Sequence, residues 1–160
     1  RTIDDGRAEA IDRRAGEIYS QLNTNPRPLP GVHALLHALE RGELPWAIAT
    51  SSRAEQVRTS VAALGLEREP VIVDGSHVEH AKPAPDLLLL AADQLGLSPR
   101  HCWYIGDATW DMLAARAANM PAVGITTGAV GRAALLEAGA AAVTTFSALG
   151  AELRRRQLLG

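Results

Sequence analysis

The feature that most restricts this chain is a regular alternation of short apolar runs with amphipathic stretches. Trp46–Ala49, Val71–Val73, Cys102–Ile105, Ala122–Ile125 and Ala142–Thr144 read as strands, each closed by polar or turn-forming residues. Between and around them, residues 8–22, 32–41, 53–64, 86–95, 112–118, 128–138 and 148–159 carry apolar side chains at helical spacing. Antiparallel hairpins need only a tight turn, whereas helices between successive strands imply parallel crossovers. The pattern therefore predicts an α/β fold, a parallel sheet covered by helices on both faces.

Local signals agree with that plan. Ile11, Ala15, Ile18 and Leu22 share one face of the first helix, and Val32, Leu35, Leu36 and Leu39 form the stripe of the second. Gly42, Gly65 and Gly96 stand where helices should stop. Pro30-Gly31 marks a turn after the Asn- and Pro-rich stretch from Asn23. Trp46–Ala49 has the uniform apolarity of a strand buried on both faces.

Composition narrows the partners. The chain has 160 residues, 47% of them apolar, and a formal net charge of -2, so it can bury a substantial core and presents no basic field for nucleic acid. Its one cysteine, Cys102, falls in an expected buried strand; no disulfide can form within the chain, which suits a reducing compartment, the cytoplasm. No segment has the length of a membrane span, so no membrane is expected as a partner. The chain starts at Arg1 rather than Met, which reads as trimming or as residues upstream. Oligomeric state is not encoded legibly.

Three polar blocks fall at expected strand ends: Thr50-Ser51-Ser52, then Lys82 in Lys82-Pro83-Ala84-Pro85-Asp86, then Gly106-Asp107 with Asp111 four residues on. In an open α/β sheet the crevice at the carboxyl ends of the strands is where ligands bind. Hydroxyl and backbone N–H groups can hold phosphate oxygens, a lysine adds a point charge, and paired carboxylates hold a hard divalent cation such as Mg²⁺. Each block also has a plain structural reading. The hydroxyls could cap the next helix, Lys82 could be a solvated loop residue, and Asp111 could complement a helix dipole. Together the three suggest phosphoryl transfer. His33, His37, His77, His80 and His101 show no metal-ligand spacing, and His80 reads as a loop histidine near Lys82.

The order and spacing of Leu29-Pro30-Gly31-Val32, Ala47–Ser52, Ala81–Asp86 and Gly106–Asp111 resemble the haloacid dehalogenase-like hydrolases, in particular their phosphoglycolate phosphatase-like branch. The resemblance implies a Rossmann-like α/β core, lacking its first strand, over residues 26–160 and, in residues 1–25, the C-terminal part of a helical cap. It implies that Thr50 binds the transferring phosphate and Ser51 adds a contact. It further implies that Lys82 neutralises the phosphate and the attacking carboxylate, that Asp107 holds Mg²⁺, and that Asp111 supports the metal directly or through water. The activity implied is Mg²⁺-dependent hydrolysis of a small phosphate monoester through an aspartyl-phosphate, the substrate being a small phosphorylated metabolite.

Members of that family begin with a strand ending in Asp-x-Asp, whose first aspartate is the nucleophile. No such block exists here: Asp4-Asp5 follow no apolar strand, and Asp74-Gly75 sit in the loop region before Lys82. The resemblance places the absent strand between those ending at Thr50 and Asp107, so unpaired backbone edges are expected there. These 160 residues alone are accordingly expected to be inactive. The alternative is a non-catalytic domain that binds a phosphorylated ligand or partner. A receiver domain has its acids first and its lysine last, the reverse order, and a dehalogenase has no need of Asp107 and Asp111.

Overall fold

The computed structural model describes residues 5–128 and 130–155. The elements in chain order are α1 (Asp5–Leu22), α2 (Val32–Arg41), β1 (Ala47–Ala49), α3 (Ala54–Ala62), β2 (Val71–Val73), α4 (Asp86–Gln94), β3 (Tyr104–Gly106), α5 (Thr109–Ala117), β4 (Ala122–Ile125), α6 (Arg132–Ala138), β5 (Ala142–Thr144) and α7 (Phe146–Arg155). A single 3₁₀ turn, Pro99–His101, precedes β3. The expected alternation is present throughout. The helix expected from Gly128 begins only at Arg132, after Gly131 in extended conformation. The last helix starts two residues before its expected position, and its expected end lies outside the described residues.

All strand pairs are parallel, but they form two sheets. β1 pairs with β2 from Ala47 opposite Val71 to Ala49 opposite Val73. β4 lies between β3 and β5, with Ile105 opposite Val123 and Gly124 opposite Val143. Among the described residues no ladder joins β1 to β3. Each of these two strands therefore keeps one edge of unpaired amides and carbonyls, the condition expected from the resemblance.

The break explains one departure from expectation, and the 3₁₀ turn before β3 explains another. β1 is half-buried along its length, whereas β4, flanked on both sides, is buried at every residue. Cys102 lies outside β3 and is half-buried, because Cys102 and Trp103 form the approach from the 3₁₀ turn; Trp103 is exposed.

One apolar core nevertheless spans both sheets. Val73, Leu87, Leu88, Met112, Leu135 and Val143 are buried together, with Ala47 and Ala49 packed against them. The α4 helix packs on β1 and β2, while α5 packs on β3 and β4, so the helices carry the core across the break. On another face, Leu35 and Ala38 of α2 pack with Ile105, Phe146, Leu149 and Leu153. The α1 helix lies along α3, tied by Asn23 Nδ2 donating to Ser60 Oγ at 2.8 Å. Its apolar residues Ile11, Ile18 and Leu22 remain exposed. Among the described residues no helix is long and apolar enough to cross a membrane.

Candidate active site

The site grows from the chain's departure from β3. Gly106 ends the strand and Asp111 folds back over it: a Cβ at position 106 would lie 2.5 Å from Asp111 Cβ, so only glycine permits the approach. From the first turn of α5, Asp111 Oδ2 accepts the amide hydrogens of Asp107 and Ala108, both at 3.0 Å. The Ala108 amide, at the N-cap of α5, is one that a helix start leaves without a partner, so the plain structural reading of this aspartate holds as well.

Its other oxygen faces a cation. Lys82 Nζ donates to Asp111 Oδ1 at 2.7 Å, and both side chains are largely buried. Tyr104, from the first position of β3, joins them: its hydroxyl accepts from Lys82 Nζ at 3.1 Å and donates to Asp111 Oδ1 at 3.2 Å. Burial lowers the lysine's affinity for its proton, but the Tyr104 oxygen and the Asp111 carboxylate outweigh it and raise the pKa above its ordinary value. Burial is also the main reason the Tyr104 phenol is pushed up to about 12, with Lys82 opposing and Asp111 adding to the shift. At neutral pH Lys82 is therefore an ammonium and Tyr104 a neutral phenol that can donate.

Asp107 is half-buried at the start of this loop. Its Oδ2 accepts from Thr127 Oγ1 at 3.1 Å, in the turn after β4. Gly128 lets that turn come close, since a Cβ there would stand 2.9 Å from Asp107 Oδ2. Asp107 Oδ1 has no hydrogen-bond partner among the described residues, whereas both Asp111 oxygens are engaged. Among the described residues no three His, Cys, Asp or Glu side chains cluster as a ready metal cage. The donor set is one open carboxylate with a second behind it, which fits Mg²⁺, a cation usually held by one or two carboxylates plus waters and substrate phosphate.

Thr50 and Ser51 stand at the end of β1. Thr50 N donates to Val73 O at 2.9 Å, extending the ladder, and Thr50 Oγ1 accepts from Ser52 N at 3.2 Å. The hydroxyls do not cap α3, whose first amide at Arg53 bonds to Gln56 Oε1 instead. Neither Thr50 nor Ser51 bonds to Lys82, Asp107 or Asp111; the nearest link is Ala49 O, 3.5 Å from the Tyr104 hydroxyl. Lys82, Asp107 and Asp111 thus form one network, and the Thr50 block borders it. His80 pairs with Asp86 at 3.1 Å and does not reach Lys82.

Two contributors escape sequence reasoning. Thr127 carries no motif, and Tyr104 is hidden in an apolar strand, where a polar tip two residues before the glycine is the only hint.

Parallel strands, helices between them and a charged network near the strand ends define an α/β domain whose polar groups gather where such sheets bind ligands. The family model described as haloacid dehalogenase-like hydrolase matches residues 2–125, and the chain belongs to that family. A phosphoglycolate phosphatase from Escherichia coli is 36% identical over 119 residues, which cover 74% of this chain and 46% of that protein. The fold of a hydrolase from Pseudomonas syringae matches with a TM-score of 0.90 at 34% identity, covering 100% of this chain and 76% of the other. A haloacid dehalogenase family hydrolase from Deinococcus radiodurans, solved with bound phosphate and sodium, matches at 0.78 and 28% identity, covering 99% of this chain and 71% of the other. The chain spans less than half the length of the curated phosphatases it matches.

Proposed function

We propose that this chain is the larger part of the catalytic core of a Mg²⁺-dependent phosphatase acting on a small phosphate monoester of the phosphoglycolate or sugar phosphate type. The observation that carries the reading is the Lys82–Asp111 pair at 2.7 Å beside Asp107, at the end of a strand. In this reading Lys82 offsets the charge of the phosphate, and Thr50 and Ser51 contribute hydroxyl and backbone donors from the facing strand end. Asp107 would hold Mg²⁺ through its open oxygen. Asp111, with both oxygens engaged, would act from behind by fixing Lys82 and the Asp107 backbone. Bound Mg²⁺ would supply charge neutralisation at the transferring phosphate.

The nucleophile is an aspartate outside these 160 residues, on a strand that inserts between β1 and β3 and carries the aspartyl-phosphate. Residues 1–25 then belong to the cap and residues 26–160 to the core, and the compartment is the cytoplasm. The test is phosphate release from a panel of small phosphate monoesters by the full-length protein. Mg²⁺-dependent release that chelation abolishes supports the reading, and hydrolysis indifferent to Mg²⁺ and to Asp107→Asn refutes it.

A further inference from the structure

One side-chain oxygen touches two of the polar blocks and the residue that precedes the third. The Tyr104 hydroxyl lies 3.1 Å from Lys82 Nζ, 3.2 Å from Asp111 Oδ1 and 3.5 Å from the carbonyl of Ala49, the residue before Thr50. A phenol has one hydrogen, and the shorter contact to the carboxylate takes it, leaving the oxygen lone pairs to face the ammonium. The ammonium is 5.7 Å from the ring centroid yet 3.1 Å from the hydroxyl, so it sits off the tip of the ring and the contact is a hydrogen bond rather than a π interaction.

Lys82 reaches this point from an irregular loop, and its stem alone does not define where the charge sits. Asp111 gives one anchor and the Tyr104 hydroxyl a second, approached from the β3 side. Among the described residues β1 and β3 share no ladder, and the same hydroxyl lies 3.5 Å from the Ala49 carbonyl at the end of β1. We infer that Tyr104 is a positioning residue: its hydroxyl fixes the Lys82 ammonium between the Thr50 and Asp107 strand ends, where a phosphate must meet it. The inference rests on the reading of Lys82 as the phosphate-neutralising cation.

A double-substitution cycle in the full-length protein tests it, with the dissociation constant of inorganic phosphate as the readout. Tyr104→Phe keeps the ring and removes the hydroxyl, and it is expected to weaken phosphate binding about tenfold, the scale of one lost hydrogen bond to a charged group. In a Lys82→Met background the same substitution should change little further, because the lysine it positions is gone. Should Lys82→Met fold poorly, Lys82→Gln takes its place. An equal loss with and without Lys82, or no loss in either background, overturns the inference while leaving the proposed function standing. Phosphate affinity unaffected by losing Lys82 overturns both.

Discussion

Lys82 Nζ stands 2.7 Å from Asp111 Oδ1, and the opposite oxygen of that carboxylate holds the amides of Asp107 and Ala108. The loop before α4 and the first turn of α5 are thereby one charged unit. A buried charge that loses its partner is costly, so the unit should behave as such under substitution.

Asp111→Asn removes the counter-charge while nearly preserving shape. It is expected to lower unfolding free energy by about 3 kcal/mol, measured by urea denaturation. A loss near zero would show that the pair is effectively solvated. Asp111 helps raise the Lys82 pKa above its ordinary 10.5, so the stabilisation is complete at neutral pH and is lost only as pH climbs past 10.5 and through the folded value.

Asp74 gives the opposite sign. It is 2% exposed, and burial alone would push its pKa up. The side-chain and backbone hydrogen bonds of Ser76, at 2.6 and 2.7 Å, with the charges of His77 and Arg53, outweigh burial and hold it below its ordinary 3.8. A depressed folded pKa stabilises above 3.8 and ceases to do so as pH falls through the folded value. The urea midpoint should therefore exceed that of Asp74→Asn at neutral pH, with the gap closing in acid. A gap that stays constant below pH 3.8 would contradict the assignment.

Thr127 donates a hydrogen bond to Asp107 Oδ2 and leaves Oδ1 open. Thr127→Val should change stability by no more than about 0.5 kcal/mol, as for an exposed position. It should raise the Mg²⁺ concentration needed for half-maximal activity of the full-length protein by about tenfold, the usual scale for a group that orients a metal ligand. An unchanged Mg²⁺ titration would remove Thr127 from the site.

The periodicity of this sequence is enough to order its strands and helices, because short uniformly apolar runs and three-to-four spacing are local properties. The α2 helix, β2, β4 and β5 have the boundaries that spacing predicts. Trp46–Ala49 misled by its apolarity: burial of β1 depends on a neighbouring strand, and apolar residues alone do not reveal whether one is present. Cys102 misled for a related reason, since the 3₁₀ turn Pro99–His101 delays the strand. That Lys82, Asp107 and Asp111 come together is legible from two acids after β3 and a lysine in the loop that follows β2. Tyr104 and Thr127 are not legible, because their roles depend on contacts made 22 and 20 residues away in sequence.

In the proposed function these residues hold a phosphate and its metal for a nucleophile delivered by another strand. Turnover of a generic aryl phosphate by the 160-residue chain, set beside that of a protein extended at its N-terminus through an apolar strand ending in Asp-x-Asp, tests it most directly. Mg²⁺-dependent turnover is expected from the extended protein and none from the shorter chain. Appreciable Mg²⁺-dependent turnover by the shorter chain alone would contradict that reading.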